Sequence, residues 1–111
     1  MANTFENWLV VSDIDGTLNN KFRKLPKRNY EAIKKFTDHG GNFTLASGRM
    51  ISSLKRNYDR VPANQPAIIV NGAGVYDYQK QELLWKQTIG PKGNQRNIQY
   101  ARAQCGCWYL F

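Results

Sequence analysis

Trp8-Leu9-Val10-Val11-Ser12-Asp13-Ile14-Asp15-Gly16-Thr17-Leu18 decides the fold. Its first half is a short continuous apolar run that stops at a carboxylate, the pattern of a central parallel strand covered on both faces. Its second half is turn chemistry. Outward from it, strand and helix signals alternate. A basic segment, Lys21–Arg28, leads into Tyr30, Ile33 and Phe36 at three-residue spacing and a Gly40-Gly41 stop, which predicts an amphipathic helix over 27–39, with Pro26 placed to sit in its first turn. Asn42–Ala46 reads as a second strand ending at Ser47-Gly48-Arg49. Ile51, Leu54 and Tyr58 give an apolar stripe for a second helix over about 50–59. Ala67–Val70 is a third buried strand closed by Asn71-Gly72, and Val75–Tyr78 with Leu83–Lys86 form a hairpin. Such alternation predicts an α/β, Rossmann-like parallel sheet with flanking helices and an added β-hairpin.

With 111 residues, 41% hydrophobic and 22% charged, the sequence holds material for one modest core rather than a two-domain enzyme, and is too apolar for disorder. Its aliphatic and aromatic runs reach only four residues, far short of a membrane span. The first twenty residues carry Glu6, Asp13 and Asp15 and no basic leader, so the expected compartment is the cytoplasm. The formal charge of +8 favours anions of any kind. Lys21, Arg23, Lys24, Lys27 and Arg28 leave open a basic nucleic-acid-binding module, although such a run also describes a solvated helix face and no nucleic-acid motif accompanies it. From Gly90 to Phe111 acidic residues and periodicity vanish, and no secondary structure is expected there. Cys105 and Cys107 in that stretch are too close for an ordinary bridge and make only half a zinc site.

Three successive strand ends carry the chemistry. Ligands of parallel sheets collect at the carboxyl ends of strands. At the first, the paired carboxylates of Asp13 and Asp15 suit a hard divalent cation such as Mg²⁺, and Gly16 permits the turn. The same residues also suit a plain Asx turn. At the second, the hydroxyl of Ser47 and the N–H of Gly48, ahead of a helix, suit an anion. At the third, Asn71 offers an amide. Each signal alone is generic; together on one sheet edge they form a phosphate and metal set.

Val11-Ser12-Asp13-Ile14-Asp15-Gly16-Thr17-Leu18 and Leu45-Ala46-Ser47-Gly48-Arg49 resemble the first and second motifs of the haloacid dehalogenase (HAD) superfamily. With Asn71-Gly72-Ala73 and Val75-Tyr76-Asp77, the pattern is similar to the Cof-type branch, Mg²⁺-dependent phosphatases of small phosphorylated metabolites. The resemblance implies Asp13 as nucleophile through an aspartyl-phosphate, Asp15 as general acid and base, and Asp13 with Asp15 as Mg²⁺ ligands. It implies Ser47, Gly48 and Asn71 as phosphate-binding residues. Sugar-phosphate mutases share the first motif and stand as an alternative within the superfamily. The family continues with a cap, a catalytic lysine and a Gly-Asp metal motif. Gly-Asp occurs nowhere in this chain, and neither Lys86 nor Lys92 matches the lysine. The expectation is therefore an incomplete core over residues 1–89, binding Mg²⁺ weakly and turning over slowly or not at all. The tail, 90–111, is expected to be atypical and not family sequence, as in a truncated or frameshifted product, which the downstream coding DNA tests.

Overall fold

The computed structural model describes residues 4–88, so the tail, Cys105, Cys107 and Lys92 lie outside the described residues. Strand β1 (Leu9–Ser12) leads into a wide turn, Ile14–Leu18, closed by the Asn19 N–H on the Ile14 carbonyl at 2.9 Å. Helix α1 (Lys27–Asp38) follows, then β2 (Asn42–Leu45), helix α2 (Ile51–Arg60) and β3 (Ala67–Ile69). Strands β4 (Gly74–Asp77) and β5 (Glu82–Lys86) complete the described chain. Both helices match the periodicity to within a residue at each end. Pro26 sits just outside α1 as its N-cap, and His39 closes the other end.

β1 pairs with β2 in parallel, in register Ser12↔Leu45, and a parallel bridge, Ala46↔Ile68, carries the ladder on to β3. The expected hairpin is present, and β4 also pairs antiparallel with β3, so the sheet is parallel on one side and antiparallel on the other. β1 departs from expectation. Leu9, Val10 and Val11 are 59%, 40% and 42% exposed rather than covered on both faces. β1 has a described neighbour on one side only. Leu9 and Val11, on one face by the two-residue period, line an open groove of about 420 Å³ with Thr44, Pro66, Ile68 and Val75.

The core lies on the other side of the sheet. Phe43, Leu45, Ala67 and Ile69 from β2 and β3 meet Ile33 of α1, Leu54 and Tyr58 of α2, and Ile14 and Leu18 from the turn after β1. Thr44, the buried polar residue of β2, directs its hydroxyl to the Pro66 carbonyl at 2.8 Å. No helix among the described residues is long and apolar enough to cross a membrane.

α2 is tied to the hairpin by two tyrosines, Tyr58 and Tyr78, whose ring centroids lie 4.6 Å apart with the planes tilted by 31°. The Tyr78 hydroxyl donates to the Ile51 carbonyl at 2.7 Å, and that of Tyr58 to the Gln65 carbonyl at 2.8 Å. Burial, reinforced by nearby Asp77, raises the Tyr58 pKa; burial, reinforced by Tyr76, pushes that of Tyr78 up to about 12. A raised phenol pKa means the folded state holds its proton more tightly than the unfolded chain. That stabilisation is complete below the ordinary tyrosine pKa of about 10 and is lost as pH rises through the folded value. The melting temperature should therefore fall between about pH 10 and 12. Tyr78→Phe, which cannot ionise, should flatten that slope in a thermal-unfolding series.

Candidate active site

The register Ser12↔Leu45 makes β1 and β2 end side by side, pointing the same way. The loops beginning at Asp13 and Ala46 therefore leave from one edge of the sheet. The Ala46 N–H donates to the Ser12 carbonyl at 2.9 Å, and the Ser47 N–H to the Ile68 carbonyl at 3.0 Å, which brings in the third strand. The loop after β3 is tied to the second loop twice. Asn71 N–H donates to the Ser47 carbonyl and Val70 N–H to the Arg49 carbonyl, each at 3.0 Å. All three strand ends that carry the sequence signals thus meet at one rim.

In the first loop, side chains alternate between rim and core. Asp13 and Asp15 are exposed, whereas Ile14 is 1% exposed and anchors the turn. Gly16, at φ +75°, takes the left-handed conformation that lets the chain double back without a Cβ in the way. The Ser12 hydroxyl donates to the Asp13 backbone carbonyl at 2.8 Å. Asp15 Oδ2 accepts from Arg49 Nη2 at 2.9 Å, a contact between residues 34 apart in sequence.

The second loop turns back on itself, with the Arg49 N–H donating to Ser47 Oγ at 3.1 Å. A Cβ on Gly48 would lie 2.9 Å from Asn71 Oδ1, so the absence of a side chain there is what admits the Asn71 amide. Asn71 sits in a run of positive φ, with Val70 at 50°, Asn71 at 52° and Gly72 at 91°. For a β-branched residue such as Val70 that is a strained conformation, held by the paired loops, and such strain clusters at ligand sites.

The structure places Gly48 against Asn71 and joins Asp15 to Arg49, while Asp13 stands at the rim one residue beyond the β1 end. The sequence analysis gave Arg49 no role; its guanidinium faces Asp15. The contact follows from the register, since Asp15 and Arg49 lie three and four residues past the partnered pair Ser12↔Leu45. Among the described residues no group of three or more His, Cys, Asp or Glu side chains is placed to hold a metal ion. The Asp13 carboxylate and the Asp15 backbone carbonyl are oxygen donors, a set that fits Mg²⁺, which takes one or two carboxylates and fills its remaining positions with water and phosphate oxygens.

The family described as haloacid dehalogenase-like hydrolase matches residues 10–111. An uncharacterized hydrolase of Schizosaccharomyces pombe is 32% identical over 99 residues, covering 78% of this chain and 32% of its own length. The 5-amino-6-(5-phospho-D-ribitylamino)uracil phosphatase YwtE of Bacillus subtilis is 35% identical over 68 residues, covering 61% of this chain and 23% of its own. Among solved structures, the HAD-superfamily phosphatase BT1666 of Bacteroides thetaiotaomicron superposes with a TM-score of 0.71 at 26% identity, covering 91% of this chain and 36% of that one. The chain spans about a third or less of the length of these two curated relatives. On its motifs, its sheet and these likenesses, the chain belongs to the haloacid dehalogenase-like hydrolases, in their Cof-type branch.

Proposed function

We propose that this chain carries the nucleophile-bearing part of a Mg²⁺-dependent phosphatase acting on small phosphorylated metabolites. The observation that carries the reading is the convergence of three loops on one rim, with two carboxylates from the first, a hydroxyl and a bare backbone from the second, and an amide from the third. YwtE's named substrate, a phosphate ester of a small metabolite, supports the substrate class. Residues 1–89 are assigned to the N-terminal part of the core domain. The family match runs on to residue 111, across the tail set apart by composition.

In this mechanism the Asp13 carboxylate attacks the phosphorus of a monoester, and the ester P–O bond breaks as the aspartyl-phosphate forms. The departing alkoxide takes the proton of the Asp15 carboxylic acid. Asp15, now ionised, takes a proton from the water that attacks the aspartyl-phosphate, which frees Asp13 and inorganic phosphate. The Ser47 hydroxyl, the Gly48 N–H and the Asn71 amide hold the phosphoryl oxygens. The Asp13 carboxylate and the Asp15 backbone carbonyl would hold Mg²⁺, which when bound neutralises phosphoryl charge. Nothing in the structure or the comparisons favours the mutase-like or nucleic-acid-binding alternatives.

The test is release of phosphate from p-nitrophenyl phosphate by the 111-residue chain, with and without Mg²⁺. The expected result is slow hydrolysis with Mg²⁺, abolished by EDTA and restored by added Mg²⁺. Hydrolysis indifferent to chelation would sink the metal assignment, and none under either condition would remove the activity from this chain.

A further inference from the structure

We propose that Arg49 is a positioning residue, whose guanidinium fixes the Asp15 carboxylate in one orientation over the rim. The proposal rests on the reading of Asp15 as acid and base, and adds what holds it there. Three other ion pairs among the described residues, Lys27–Glu31, Lys34–Asp38 and Lys55–Asp59, are i,i+4 neighbours on helix surfaces. Arg49–Asp15 instead joins two loops from adjacent strands, at 2.9 Å.

The partners are held unequally. The Arg49 side chain is 32% exposed and its backbone is pinned on both sides, N–H to Ser47 Oγ and carbonyl to Val70 N–H. Asp15 is 55% exposed, in an extended conformation ahead of the left-handed Gly16. A short carboxylate at such a place samples several χ1 rotamers unless something outside its own loop selects one. Guanidinium donors form a rigid fork, so the better anchored partner sets where the other points. An exposed pair contributes little to overall stability. Its consequence is local: an acid and base must lie within hydrogen-bond reach of the leaving oxygen. Arg49 thereby links all three loops, the first by its side chain, the third by its carbonyl, and the second as its own.

The experiment measures the three-bond couplings from the Asp15 carboxyl carbon to backbone nitrogen and carbonyl by NMR, in the full chain and its Arg49→Gln and Arg49→Lys variants. Wild type should show the couplings of a single χ1 rotamer. Arg49→Gln should show averaged couplings at an unchanged melting temperature, and Arg49→Lys, which keeps the charge but not the fork, should lie between. Averaged couplings in wild type, or one retained rotamer in Arg49→Gln, would overturn the proposal. With p-nitrophenyl phosphate, Arg49→Gln should lower kcat by up to about 10²-fold with KM within about twofold, as for a misplaced catalytic group. A raised KM at unchanged kcat would instead make Arg49 a phosphate ligand and overturn the proposal. If wild type releases no phosphate, the phosphatase reading fails for this chain, and the couplings still decide whether Arg49 fixes Asp15.

Discussion

Replacing Asp13 by asparagine is expected to abolish Mg²⁺-dependent phosphate release while leaving the fold intact. The two side chains have nearly the same shape, but an amide cannot supply the anionic oxygen that attacks phosphorus. Removing a nucleophile leaves only the contribution of binding and electrostatics, so kcat should fall by about 10⁴-fold or more. Asp13 is exposed at the sheet rim, and no hydrogen bond or ion pair to its carboxylate is found among the described residues. The substitution therefore breaks no contact of the core, and the melting temperature should stay where it is. Single-turnover assays beside a thermal melt separate the two effects. Hydrolysis retained in Asp13→Asn would overturn the assignment of the nucleophile.

The largest effect on stability is expected at Leu45. It is 0% exposed at the end of β2, within the cluster that includes Ile14, Leu18 and Leu54. Truncation to alanine removes buried methyl groups and leaves a cavity that the surrounding strands and helices fill only in part, a cost of about 2–5 kcal/mol. Small domains begin from only about 5–15 kcal/mol of stability and lose about 4–8 °C of melting temperature per kcal/mol. A fall of at least about 8 °C should follow. Leu84→Ala on β5, where the side chain is 47% exposed, serves as control and should shift stability by no more than about 0.5 kcal/mol. Equal shifts in the two variants, measured by thermal circular dichroism, would show that the core is not centred on β2.

The contrast between Leu45 and Leu9 also shows what the sequence could convey. Both lie in short apolar runs and both form strands, because a local run is enough to specify extended backbone. How far each is covered depends on partners distant in the chain, and the run contains no information about them. Leu45 is fully buried in the cluster to which both helices and the first loop contribute; Leu9 faces an open groove. The helices were legible to within a residue because their signals, the stripe of Ile51, Leu54 and Tyr58 and the stop at Gly40-Gly41, are local. The antiparallel pairing of β3 with β4 was not, since strand register is settled by contacts across the sheet. At the rim, residue types at the three strand ends announced the candidate residues. The Asp15–Arg49 contact needed the β1–β2 register before the two loops could be brought together.

The in-and-out alternation of the first loop has a consequence for how this surface can change over generations. Ile14 and Leu18 answer to the scaffold, whereas Asp13 and Asp15 face outward at the rim, with Asp15 held only by Arg49 of the neighbouring loop. Selection can rewrite the outward positions, exchanging one reaction for another, while the inward ones keep the ledge at the same height and angle. A single short segment thus keeps reactivity and architecture in separate registers, which is how one framework comes to host many chemistries.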